Sequence, residues 1–225
     1  MPKQTFFNLP NEKRQLVVNA AIDEFANYGF EAASINRIVA NSSISKGSFY
    51  QYFEDKLDVF KHLLDVLAEE KTVFFRDRHP PSQGLGIFGY FRWMIKTGME
   101  FNSTNPVLVK AVSRVLLSEG MYYGQLFSDI RKKTIDALRE MIRSAKNNGE
   151  MDANVDEDLA VTVMDTWSNV ISNNILNEGA QKKDLVKYVK SAKVQKYIDD
   201  MLSVMEHGLR NVKPSLEDGQ KGSEQ

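Results

Sequence analysis

Apolar residues recur at the three- and four-residue spacing of an α-helix along almost the whole chain. No stretch alternates apolar with polar in the manner of a half-buried strand bounded by hairpin residues. That pattern confines the chain to architectures made by packing helix faces together. The longest stripes lie late in the sequence. Leu159, Val163, Met164, Trp167, Val170, Ile171 and Ile175 share one face between Asp156 and Glu178, and Val194, Tyr197, Ile198, Met201, Leu202, Met205 and Leu209 share one between Lys182 and Asn211. The six prolines stand at the edges of such stretches, and about nine helices are expected.

The spacing predicts a first long helix from about Asn11 to Gly29, with Gly29 as a left-handed C-cap. Ser34 has the character of an N-cap for a short helix carrying Ile35, Ile38 and Val39. Asn41-Ser42-Ser43-Ile44 then breaks the pattern, and Ser45 caps a second short helix. Ile44 and Phe49 bracket that cap as a hydrophobic staple. Asp55 caps a long helix that must stop near Arg78–His79, ahead of Pro80.

Two short helices joined by a four-residue turn, over residues 34–53, have the layout of a helix-turn-helix. A second helix that enters a DNA major groove needs hydrogen-bond donors outward, apolar anchors behind, and no carboxylate facing the phosphates. Residues 45–53 (Ser-Lys-Gly-Ser-Phe-Tyr-Gln-Tyr-Phe) meet each requirement. Phe49 and Phe53 are the anchors, and Lys46, Ser48, Gln51 and Tyr52 are left for the outer surface. Gly47 removes a side chain where the backbone must come close.

The stretch SINRIVANSSISKGSFYQYFEDKLDVF resembles the signature of the TetR family of transcriptional regulators. The matching positions are Ser34, Ile44, Ser45, Gly47, Phe49, Tyr50, Tyr52, Phe53, Asp55 and Lys56, with Ala21, Phe25 and Gly29 in the helix before. The close match covers about residues 11–60. One departure stands in the turn, where the family usually has Ala-Gly and this chain has Ser42-Ser43. Either Ser43 adopts a positive φ at a cost of roughly 1–2 kcal/mol, or Asn41 takes that role.

The resemblance implies a helix-turn-helix DNA-binding domain at 11–56, with a connecting helix at 55–78. It also implies a ligand-binding and dimerisation bundle at 80–211; the polar, Pro/Gly-bearing tail at 212–225 is expected from its composition to be disordered. A homodimer would read a palindromic operator on double-stranded DNA, with recognition helices about 34–36 Å apart. Ser34, Tyr50, Tyr52 and Lys56 would meet phosphates, Arg37 the backbone, and Lys46, Gly47, Ser48 and Gln51 the base edges, with Ser45 as a further DNA-binding position. A small, largely apolar effector would enter a pocket whose candidate lining is Phe91, Met94, Tyr123, Phe127 and Trp167. Its binding would release the operator, with the connecting helix as lever. The dimer would form through Val163, Val170, Ile171, Tyr197, Met201 and Met205. These readings compete with plainer ones, since most aromatics of the second domain are more simply read as ordinary core or dimer contacts.

The formal net charge of −1 speaks at first against nucleic acid. It is not evenly spread: residues 32–53 contain Arg37 and Lys46 and no acid. Zero cysteines exclude disulfides, thiolate metal sites and a cysteine nucleophile. His62, His79 and His207 have no metal-ligand spacing, and no Gly-rich phosphate loop or Ser–His pair is visible, so neither cofactor nor catalysis is expected. No apolar run reaches the ~20 residues of a membrane span, and MPKQTFFNLPNEKRQ has no secretory-signal character, so a cytoplasmic protein is expected. The alternative from another class is an all-helical enzyme or apolar-ligand carrier that keeps only a helix-turn-helix corner.

Overall fold

The computed structural model describes residues 1–80, 85–118, 124–179 and 181–210; within these, the side chains of 116–118 and 124–131 are not described. Tyr123 and the tail at 212–225 therefore lie outside the described residues, as does the Phe127 side chain. Among the described residues all regular structure is helical. One isolated antiparallel bridge, Met151 to Arg210, is the exception. The helices are α1 (Gln4–Phe7), α2 (Asn11–Tyr28), α3 (Ile35–Asn41), α4 (Lys46–Tyr52), α5 (Lys56–Arg76), α6 (Gly86–Thr104), α7 (Pro106–Ser118), α8 (Gly124–Asn147), α9 (Glu157–Gly179), α10 (Leu185–Val189) and α11 (Ala192–Leu209). The two beyond the expected nine are the very short α1 and α10. The latter is cut from α11 where Ser191 takes an N-cap and accepts from the Val194 amide.

The chain forms two compact units. The first holds Met1–His79, Thr97–Arg131 and Asp184–Val186, and the second Pro80–Lys96, Lys132–Lys183 and the described part of Lys187–Gln225. By packing, then, the described residues between 97 and 131 join the N-terminal helices rather than the helices that follow residue 80. α6 and α8 each contribute to both units.

In the first unit, α2 ends at Gly29, whose φ of 71° carries the chain out of the helix. Phe25, Phe30 and Phe60 stack or meet edge-on around a fully buried centre. α7 lies along α2, burying Ala111, Val112 and Val115. Arg114 donates to the carbonyls of Ala26 and Asn27, at 3.2 and 2.8 Å, and so supplies a cation at the C-terminal end of α2.

In the second unit, Ile142, Met164, Ile171, Ile198 and Leu202 lie at the centre of the core. Arg92 and Lys96 on α6 both pair with Asp199 on α11, and Arg92 also reaches Glu206. Gly86 has φ 59°, and a Cβ there would lie 2.5 Å from the Glu150 carboxylate, which accepts from the Ile87 amide at the start of α6. The positive φ favours glycine here, and a side chain would also push the Glu150 carboxylate away from the Ile87 amide. No helix among the described residues is long and apolar enough to cross a membrane.

Candidate nucleic-acid interface

α3 and α4 are short, and each is held by bonds that propensity alone would not supply. Ser34 occupies the N-cap of α3 in extended conformation, but its side chain makes no capping bond. Its amide instead donates to the buried Glu24 carboxylate of α2 at 2.7 Å. The Arg37 guanidinium closes on the same carboxylate, donates to the Ala32 carbonyl and lies 4.1 Å from the Tyr28 ring centre. Hydrogen bonding to Glu24 raises the Arg37 pKa still further. Arg37 is thus engaged as a brace between α2 and α3.

The turn resolves the alternative left open by the sequence. Ser43 has φ 56°, and Asn41 remains in α3. Ser42 is buried and donates its hydroxyl back to the Ile38 carbonyl at 2.6 Å. Ser45 is the N-cap of α4, with its Oγ accepting from the Ser48 amide at 2.9 Å and 2.8 Å from the Ser48 hydroxyl. Ile44 packs against the cluster that contains Phe49.

α4 has two faces. Phe49 and Phe53 are buried behind it, while Lys46, Gly47, Tyr50 and Gln51 are exposed and Ser48 is half-buried. A Cβ on Gly47 would meet nothing closer than the Ser45 Oγ at 3.7 Å, and its φ is ordinary. Nothing inside the chain requires glycine here. Tyr52 is half-buried against Phe6, with ring centres 6.1 Å apart, so its ring belongs partly to the core. Lys56 donates to the Glu31 and Ala33 carbonyls, each at 3.1 Å, and lies 4.6 Å from the Phe30 ring centre. Its ammonium has three donors, so one remains.

Residues 1–9, which carry no motif, contact α4 directly. Phe6 is buried against Phe53 and His62. Burial lowers the His62 pKa below its ordinary value. The one available signal was the Phe6-Phe7 pair ahead of Pro10.

In the second unit, Phe91 is buried and Met94 and Trp167 are half-buried; Trp167 donates its indole N–H to the Met201 carbonyl at 2.8 Å. Of the six residues expected at a dimer interface, Ile171 and Met205 are buried inside their own unit and have no surface to offer a second copy. Val163, Tyr197 and Met201 are half-buried and Val170 is exposed. Leu159, on the predicted stripe of α9, and Val204 on α11, which the stripe did not include, are 55% and 65% exposed and extend the same faces.

Residues 17–63 match the family model for "Bacterial regulatory proteins, tetR family". Over most of its length the chain is similar to a TetR family transcriptional regulator from Chloroflexus aurantiacus. Its crystal structure superposes with a TM-score of 0.80 at 28% identity, covering 94% of this chain and all of that one. The probable acrEF/envCD operon repressor of Escherichia coli is 23% identical over 177 residues, covering 73% of this chain and 76% of its own length. The regulator SrpR of Pseudomonas putida is 25% identical over 177 residues, covering 77% and 78%.

Proposed function

Since this chain belongs to the tetR family of bacterial regulatory proteins and is a DNA-binding transcriptional regulator, we propose that it reads a palindromic operator as a homodimer and acts as a repressor. The observation that carries this reading is the outer face of α4. It offers Lys46, the bare backbone of Gly47, and the hydroxyl and amide groups of Ser48, Tyr50 and Gln51, with no carboxylate among residues 32–53. Gly47 is free of any internal requirement, so its use is an approach from outside. Lys46 suits guanine O6/N7 and Gln51 suits adenine N6/N7. Ser34, Ser45, Tyr50, Tyr52 and the remaining donor of Lys56 hold phosphates and set the register. Arg37 acts mainly by fixing α3.

Dimerisation proceeds through the apolar faces of α9 and α11, around Leu159, Val163, Val170, Tyr197, Met201 and Val204. Leu159, Val170 and Val204 are exposed apolar side chains on those faces, which is costly unless they are covered. A small, largely apolar effector enters the second unit near Phe91, Met94 and Trp167, with Tyr123 and Phe127 as further lining. It releases the operator by preferring the conformer whose recognition helices do not fit successive grooves. α5, together with α6 and α8, transmits that preference. The protein works in the cytoplasm, where the DNA is.

Titration of duplex binding against salt tests the reading. A specific complex loses affinity as salt rises, with a modest slope because the face holds few cations. Binding that is indifferent to salt, or equal for every duplex, would sink it.

A further inference from the structure

The last four carbonyls of any α-helix lack partners within the helix. In α4, which has only seven residues, all four are taken. The Phe49 carbonyl accepts from the Phe53 amide at 2.9 Å, and the other three accept from a single segment at the start of the chain. Tyr50 accepts from the Lys3 ammonium at 3.0 Å, Gln51 from the Thr5 hydroxyl, and Tyr52 from the Lys3 amide at 2.8 Å. Phe6, 1% exposed, fastens the segment by packing on Tyr52, Phe53 and His62.

We propose that Lys3, Thr5 and Phe6 are positioning residues for DNA recognition: they form a clip that closes the C-terminal end of the recognition helix and holds its outer face in register. The clip rests on the DNA-binding reading above. Its physical basis is independent of that reading. A seven-residue helix is marginal on its own, and orphan carbonyls at its end invite fraying toward water. When the clip is open, the binding-competent form of α4 is only fractionally populated, and operator affinity falls by that fraction. The clip makes its bonds to the backbone of α4, so it governs the helix without reading bases itself.

Lys3 has φ −74°, which proline adopts without strain. Lys3→Pro therefore removes both the amide and the ammonium donor in one step. Thr5→Val removes one hydroxyl at nearly constant shape and is the milder variant should Lys3→Pro fail to fold. The full-length variants are titrated with the duplex that the wild-type chain selects, at several salt concentrations. Amide hydrogen exchange across residues 49–53 is followed without DNA. Lys3→Pro is expected to weaken operator binding about tenfold or more, Thr5→Val several-fold. The slope against salt stays unchanged, and exchange quickens across 49–53 but not in the second unit. Unchanged affinity and exchange in both variants would overturn the clip. A slope reduced by about one for each Lys3 lost would overturn it differently, making Lys3 a direct phosphate contact. If the wild-type chain selects no duplex, the DNA-binding reading itself fails and the inference falls with it, a result visible before any variant is made.

Discussion

The Arg37 guanidinium lies 2.5 Å from the carboxylate of Glu24, a side chain only 1% exposed. The same carboxylate accepts from the Ser34 amide, so one buried acid fixes both the start and the middle of α3. Removing it leaves the Ser34 amide without its acceptor and Arg37 without its carboxylate. Glu24→Ala should cost about 1–3 kcal/mol for the buried amide alone, read as a lower midpoint in chemical denaturation. Glu24→Gln keeps an acceptor and should cost less. Equal stability of Glu24→Ala and wild type would show that α3 is held some other way.

Ser43 turns the chain at φ 56° where a Cβ is crowded. Ser43→Gly should raise stability by about 1 kcal/mol. A melting temperature that is unchanged or lower would contradict a strained turn.

His62 gives the first unit a pH dependence. Burial, here among Phe6, Phe7 and Phe53, pushes its pKa below 6.5; Asp65 opposes the shift, and Arg14 and the terminal ammonium add to it. A base with a depressed folded pKa contributes stability that is full above its unfolded value and lost as pH falls through the folded one. Melting temperature should therefore drop as pH falls below about 6.5. In His62→Phe that drop should be smaller. The same drop in the variant would assign the effect to other groups.

The two lysines of the interface should fail in different ways. Lys56→Gln keeps a donor for the Glu31 and Ala33 carbonyls but loses the charge, and should flatten the salt slope by about one for each copy of the lysine. Lys46→Ala should relax the base preference at one operator position by about 1–3 kcal/mol. Identical losses on every duplex from Lys46→Ala would make it a phosphate contact instead.

Val204, at 65% exposed, and Val170 stand on the apolar faces of α11 and α9. A carboxylate placed there would be buried without a partner in a dimer but solvated in a monomer. Val204→Asp should shift the sedimenting species from dimer to monomer at unchanged helix content. A species of unchanged mass would move the interface elsewhere.

Much of this was legible in the chain itself. The boundaries of α2 to α5 follow from caps and spacing, because local bonds decide them: Gly29, Ser45 and Asp55 each sit where their chemistry requires. Lys56 and Arg37 were legible as cations near the motif. The engagement of Arg37 with Glu24 and of Lys56 with two carbonyls was not, since those partners lie 13 to 25 residues away. The clip on α4 was hidden for the same reason, its bonds spanning more than 40 residues. Ile171 and Met205 lie on the same apolar stripes as Val170 and Met201. Periodicity marks a stripe but does not say which side of it meets the chain's own core.

Selection of fragments from a random duplex pool by the full-length chain at moderate salt is the most direct test. A shared palindrome is expected, with half-sites whose centres lie one helical turn apart, about 34–36 Å, or a multiple of it. Its enrichment should be lost when Gly47→Val closes the approach of α4 to the groove. Fragments that share no palindrome, or a palindrome still enriched by Gly47→Val, would contradict recognition through the outer face of α4.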